Sequence, residues 1–191
     1  AESNTVLLLN FDRVDGSTDF EDSSNTGGNG HKITASGNAH IETDQYKIGT
    51  AGGKVNNSSA HFDGTDDSLR IPASNDFQFS TGAFSIDFWA RPNTFSSNAV
   101  TFIARCANSS NNSVTWMFRV HGSNGQIEFT RNNASGSDHQ STSYTMIANR
   151  WTHVAVTRHT DGVVRLFADG VVIYTSSAAD TGNYDSAGEL W

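Results

Sequence analysis

The sequence predicts an all-β protein built as two antiparallel sheets packed into a sandwich. Three observations carry that prediction. Short runs that alternate apolar and polar residues recur at about 8–12-residue spacing between Gly/Asn/Ser turns, the signature of a sandwich. No stretch of ten or more residues shows a strong helical period. Asp-Gly turns punctuate the C-terminal half: Trp151-Thr-His-Val-Ala-Val-Thr-Arg158 and Val163-Val-Arg-Leu-Phe-Ala168 are joined through Asp161-Gly162, and the second run closes on Asp169-Gly170. Asp-Gly supplies the positive φ angles that two-residue hairpins require. With 191 residues, 17 glycines and only 2 prolines, the chain is turn-rich without being of low complexity. No repeat or linker is visible, so one domain over 1–191 is expected.

Strands are expected at 5–11, 31–35, 38–42, 59–63, 67–71, 84–91, 100–105, 115–121, 126–131, 140–146, 151–159, 163–168 and 171–175. Loops such as Asn25-Thr-Gly-Gly-Asn-Gly30 and Asn108-Ser-Ser-Asn-Asn-Ser113 separate them. Successive strand side chains point to opposite faces, so alternation sorts them. Phe84, Ile86, Phe88, Val154, Val156, Val164 and Leu166 should lie between the sheets. Trp89, His153, Arg165 and Phe167 should share the outer surface of one sheet. Aromatic faces beside planar donors suit a sugar, by stacking on its C–H faces and hydrogen bonding to its hydroxyls. These four residues are the candidate carbohydrate-binding set. The alternative is that a loop crosses that sheet and buries Trp89.

Composition excludes several classes. Net charge is −8 and the 12 basic residues are scattered, so no basic stripe is available for nucleic acid or for an anionic membrane. No apolar run approaches the roughly 20 residues that span a bilayer. The N-terminal Ala1-Glu-Ser-Asn-Thr5 lacks the basic and apolar regions of a signal peptide. The single cysteine, Cys106, excludes an intrachain disulfide and reads as a small buried hydrophobe.

Catalytic signals are weak. A retaining glycosidase needs two carboxyl groups about 5–5.5 Å apart. The nearest approach to a strand-borne acid series is Glu42-Thr-Asp44-Gln-Tyr-Lys47, where a lysine replaces the third acid. Histidines 31, 40, 61, 121, 139, 153 and 159 show no His-Glu-x-x-His or Cys/His spacing, which argues against zinc chemistry. No Gly-x-Ser-x-Gly elbow occurs. Asn-x-Ser/Thr triplets at Asn57, Asn108 and Asn133 are what an Asn- and Ser-rich chain makes by chance. No enzymatic activity is expected.

Four segments, in order, resemble one family. Leu7-Leu-Leu-Asn-Phe-Asp12 with Asp15-Gly-Ser-Thr-Asp-Phe-Glu-Asp-Ser-Ser24, then Ala60-His-Phe-Asp-Gly-Thr-Asp-Asp-Ser-Leu-Arg-Ile-Pro72, then Phe84-Ser-Ile-Asp-Phe-Trp-Ala-Arg-Pro92, then the run from Trp151 to Gly170 are similar to laminin-G-like domains of the concanavalin A-like superfamily. The resemblance implies a two-sheet antiparallel jelly-roll sandwich. It is nearest to domains of bacteriophage tail fibres and other virion surface proteins. It therefore implies a non-enzymatic virion surface structural protein, a capsid decoration or fibre module. Such a protein would contact other virion proteins or copies of itself and could bind host-surface glycans. A carbohydrate-binding or adhesion module of a secreted, extracellular bacterial protein is the alternative. Related jelly rolls often carry calcium. Asp12, Asp15, Asp19 and Asp22 lie in one Gly/Ser-rich loop and offer the hard oxygens calcium wants. Asp12 and Asp22 are the expected metal residues, the alternative being a solvated acidic loop. Asp66-Asp67 reads as a hairpin turn. Family members usually continue past the counterpart of Gly188-Glu-Leu-Trp191 with a last strand beside the first. Its absence here leaves three expectations: a longer polypeptide, a strand donated by a partner, or Leu190-Trp191 in the closing position.

Overall fold

The computed structural model describes residues 4–24, 30–47, 57–95, 99–106, 114–121, 124–131 and 139–191. The loops at 25–29 and 108–113 and the triplets at Asn108 and Asn133 lie outside these residues. Among the described residues there is no α-helix. The chain is an all-β sandwich of antiparallel sheets, divided into two compact units: Ala1–Asp76 with Glu189–Trp191, and Phe77–Gly188.

The first unit is made of short ladders. β1 (Thr34–Ser36), β2 (His40–Glu42), β3 (Ser59–His61) and β4 (Ser68–Arg70) pair antiparallel as β1–β4 and β2–β3. Among its described residues, Ile41, Phe20, Ala39, Ile71 and Leu190 are the buried apolar ones. The strand expected over 5–11 does not form. Leu9 makes one isolated bridge to Asp22, and the Leu8 N–H donates to the Asp22 carboxylate at 2.9 Å rather than to a ladder carbonyl. Phe11 then turns into the left-handed region at φ 54°, which ends any extended run.

The second unit holds the sandwich. Its strands are β5 (Phe84–Ala90), β6 (Val100–Cys106), β7 (Val114–His121), β8 (Gln126–Arg131), β9 (His139–Thr145), β10 (Thr152–Arg158), β11 (Val164–Ala168) and β12 (Val171–Thr175). One sheet runs β12-β11-β10-β5, and β6-β7-β8-β9 run in order in the other. Aromatic rings join the two inner faces. Phe88 meets Phe102 at 5.3 Å and Phe118 at 5.4 Å between centroids, and Phe84 meets Phe129 at 5.8 Å. Val154, Val156, Val164 and Leu166 are fully buried, and Phe84 is buried; Ile86 and Phe88 are partly covered. Cys106 is buried, and burial raises its thiol pKa. A final strand, β13 (Glu189–Leu190), belongs to the first unit, where Leu190 and Ile71 exchange N–H···O bonds of 2.9 and 3.0 Å.

One turn differs from expectation. Asp169-Gly170 is a two-residue hairpin turn with both residues at positive φ, 49° and 79°. Asp161-Gly162 is not. There the His159 N–H donates to Val163 O and the Gly162 N–H to His159 O. Thr160, Asp161 and Gly162 therefore form a three-residue loop in which the glycine alone takes the left-handed position, φ 81°.

Candidate functional site

The outer face of the β12-β11-β10-β5 sheet carries all four residues picked out by alternation. Burial along β10 and β11 alternates buried and partly exposed, so His153, Arg165 and Phe167 point away from the core. On β5, Trp89 is 38% exposed, which excludes its being buried under a crossing loop.

Register decides which of the four come together. Trp89 lies directly across from His153, and their rings stand 5.2 Å apart at 49°. The next row runs Asp87, Ala155, Phe167, Val172, and the one beyond it Ser85, Thr157, Arg165, Thr175. Strands are about 4.8 Å apart and rows about 6.7 Å apart, so Trp89 and Phe167 are separated by about 12 Å. That exceeds one sugar ring. The face thus offers two aromatic positions with the small Ala155 between them, and Arg165 sits one row beyond Phe167.

The polar partners of this face include groups that the sequence reading did not single out. His153 Nε2 donates to Asp87 Oδ1 at 3.1 Å, and the His153 N–H donates to Asp169 Oδ1 at 3.0 Å. Arg150 donates to the other Asp169 oxygen at 2.7 Å. Asp87 shares Trp89's parity on β5, so alternation could have found it. Asp169 could not be found that way, because it enters the face through the turn. Val172 adds an apolar edge that is 49% exposed.

The acids expected to hold calcium have other partners. The Asp22 side chain is fully buried. One of its oxygens accepts from Leu8 N and Ser24 N, the other from Ser24 Oγ, His31 N and His31 Nδ1. Burial pushes its pKa up, but the backbone N–H groups of His31, Leu8 and Ser24 win and lower it to about 2. Asp12 is exposed, at a shallow pocket shared with Arg13, Asp19 and Glu21. Arg13 pairs with Glu21 and lies 3.9 Å from Asp19. Asp15 accepts from Thr43 N and Oγ. Asp22 is thus engaged by five donors from Leu8, Ser24 and His31, while Asp12 stands exposed. Asp63, Asp66 and Asp67 do cluster, but Asp67 accepts from Asn38 N and Asp63 N within the turn.

The Asp44 side chain is the largest cause raising the Glu42 pKa, followed by burial and the charges of Asp44 and Asp15.

Comparison with known proteins agrees with this architecture. The laminin G 3 family model, described as "Concanavalin A-like lectin/glucanases superfamily", matches residues 63–191. The chain belongs to that family. No curated protein sequence matches it. Among solved structures, it is similar to the binding domain of botulinum neurotoxin DC in complex with SialylT, at 18% identity and TM-score 0.60, over 98% of this chain and 43% of that one. It is similar to the botulinum neurotoxin serotype C1 binding domain, at 19% identity and TM-score 0.62, over 97% of this chain and 42% of that one. The binding domain of Paraclostridial Mosquitocidal Protein 1 matches at 15% identity and TM-score 0.58, over 97% and 43%. The chain thus spans less than half the length of these structures, and the likeness is one of fold.

Proposed function

We propose that this protein is a non-enzymatic glycan-binding module that takes an oligosaccharide on the outer face of the β12-β11-β10-β5 sheet. The observation that carries the reading is the exposed Trp89 ring beside His153, itself oriented by Asp87 and Asp169. An aromatic plane beside planar polar groups matches a pyranose, which has an apolar C–H face and a hydroxyl rim. The second aromatic, Phe167, is a second ring's distance away. The ligand class is therefore an extended saccharide of two or more units rather than a monosaccharide. Toxin binding domains of similar fold include one solved in complex with SialylT, which makes sialylated chains the first to test. In this reading the saccharide is bound without being hydrolysed.

A printed glycan array probed with the full chain tests this. Binding to one or more saccharides is expected, with no released reducing end. Trp89→Ala and Phe167→Ala should each weaken it at least tenfold, about 1.4 kcal/mol. No bound glycan, binding indifferent to both substitutions, or turnover would each overturn the reading. The finer reading puts the module on a virion surface, as a decoration or fibre piece contacting virion proteins or its own copies. Its support is the similarity of the sequence to such domains. Copurification with particles from the native source would bear it out. Recovery as a free secreted protein would favour the bacterial adhesion module.

A further inference from the structure

We propose that the saccharide taken by the outer sheet face is acidic, and that Arg165, with the hydroxyls of Thr157 and Thr175, receives its carboxylate. The inference rests on the reading that the β12-β11-β10-β5 face binds a saccharide. Register builds the subsite. Arg165 pairs with Thr157 on β10 and with Thr175 on β12, and Thr157 pairs in turn with Ser85 on β5. Residues directly opposite on neighbouring strands share a face, so one guanidinium stands in a row with three hydroxyls. Strands lie about 4.8 Å apart, which puts a hydroxyl-bearing residue on each side of Arg165. Thr157 and Arg165 are half-buried, and Ser85 and Thr175 are exposed.

Charge and hydrogen bonding set this row apart. The side chains of Arg165, Ser85, Thr157 and Thr175 make no hydrogen bond or ion pair among the described residues. At the Trp89 end the polar groups are already matched: His153 with Asp87, Arg150 with Asp169, and Arg91 with Asn93. Asp161 is near enough to feel the Arg165 charge. Its carboxylate, however, accepts from Val163 N at 2.9 Å and stands 3.2 Å from His159 Nδ1. A guanidinium is a planar fork that takes both oxygens of a carboxylate at once, and flanking hydroxyls extend the set of donors. Phe167 is one row from Arg165 on the same strand, about 6.7 Å. The sugar ring that bears the acid therefore stacks on Phe167 while its carboxylate reaches Arg165, and the rest of the saccharide runs over Ala155 towards Trp89. The chain as a whole carries a net charge of −8, which repels an anion at long range. A preference for an acidic saccharide thus reports this local row rather than a diffuse attraction.

Calorimetric titration of the full chain with sialyllactose and with a hyaluronan tetrasaccharide, each beside its carboxyl-reduced form, tests the proposal and separates a sialate from a uronate as the source of the charge. At least one acidic form should bind roughly tenfold tighter than its reduced form, and the preference should shrink as salt is raised. Arg165→Gln should bring that ratio close to one, and Arg165→Lys should keep part of it. Lys32→Gln, the same change of charge at an exposed residue of the first unit, should leave the ratio as in the wild type. Equal affinity for the acidic and reduced forms of both probes overturns the proposal, as does a preference that survives in Arg165→Gln shown to be folded by circular dichroism, or one that Lys32→Gln abolishes. A chain that binds neutral saccharides but neither acidic probe overturns it too, and leaves the saccharide-binding reading standing. A chain that binds no saccharide at all removes both. Should Arg165→Gln fail to fold, the wild type decides by NMR: the Arg165 Nε–H resonance should shift with an acidic probe and not with its reduced form, and equal shifts, or none, overturn the subsite.

Discussion

Trp89 and His153 meet because two alternations coincide: each sits at an outward position, and the β5–β10 register puts them opposite. The outward positions were legible in the sequence, since a period of two in a strand fixes the side of every residue. The pairing was not, because register depends on turn geometry and strand partners. The same limit explains His40 and His61. They stand far apart in sequence, and only the β2–β3 ladder brings them together. Asp22 teaches the converse. An acid in a Gly/Ser loop suggests a metal, but a carboxylate can equally organise a loop by collecting backbone N–H groups. Its folded pKa of about 2 lies below the ordinary 3.8. Asp22 therefore contributes its full stability above pH 3.8, and that contribution disappears as the pH falls towards 2. Asp22→Asn should cost about 2 kcal/mol at pH 7 and progressively less towards pH 2. Urea unfolding at a series of pH values measures this. A cost independent of pH would show that the carboxylate charge is not what stabilises the loop.

At the scale of elements, the strands of the second unit lie close to their expected positions. β5, β7, β8, β11 and β12 each match within a residue or two. Turns bound each one, and in β5, β8 and β11 an inward apolar residue recurs at every second position. The expected strand over 5–11 failed for the opposite reason. Leu7, Leu8 and Leu9 are consecutive, and a run without alternation does not say what it pairs with. The two Asp-Gly turns show how little of turn type is legible, since the same dipeptide closes a two-residue turn at Asp169 and a three-residue loop at Thr160. The two glycines should therefore respond differently to alanine. Gly170 has open space around its Cβ position, so Gly170→Ala carries only the positive-φ penalty, about 1 kcal/mol. A Cβ on Gly162 would stand 2.9 Å from Asp180 O and 3.0 Å from Ala179 Cβ. Gly162→Ala should cost more, about 2–3 kcal/mol. Equal midpoint shifts in chemical denaturation would contradict the loop geometry.

At the scale of the molecule, the sandwich rests on aromatic contacts between the inner faces. Phe88 touches rings from both β6 and β7. Phe88→Ala should cost about 3 kcal/mol, read as a lower urea midpoint at unchanged slope. The division into two compact units was not legible, because no change in composition or linker marks residue 76. Nor was the buried polar group of His139, Asp180 and Tyr184. Burial pushes the Asp180 pKa up, but hydrogen bonds from Tyr184, His139 and Gly182, with the Arg131 charge, hold it below the usual carboxylate range. These residues are scattered between 131 and 184, and only the fold assembles them. The central claim is that the outer sheet face binds a saccharide. The most direct test is a titration of isotope-labelled protein with an array-positive oligosaccharide, followed by NMR. The account predicts that the Trp89 indole and the amides of His153, Ala155 and Phe167 shift first and together, with the saccharide recovered intact. Shifts centred on another surface, or a cleaved saccharide, would contradict it.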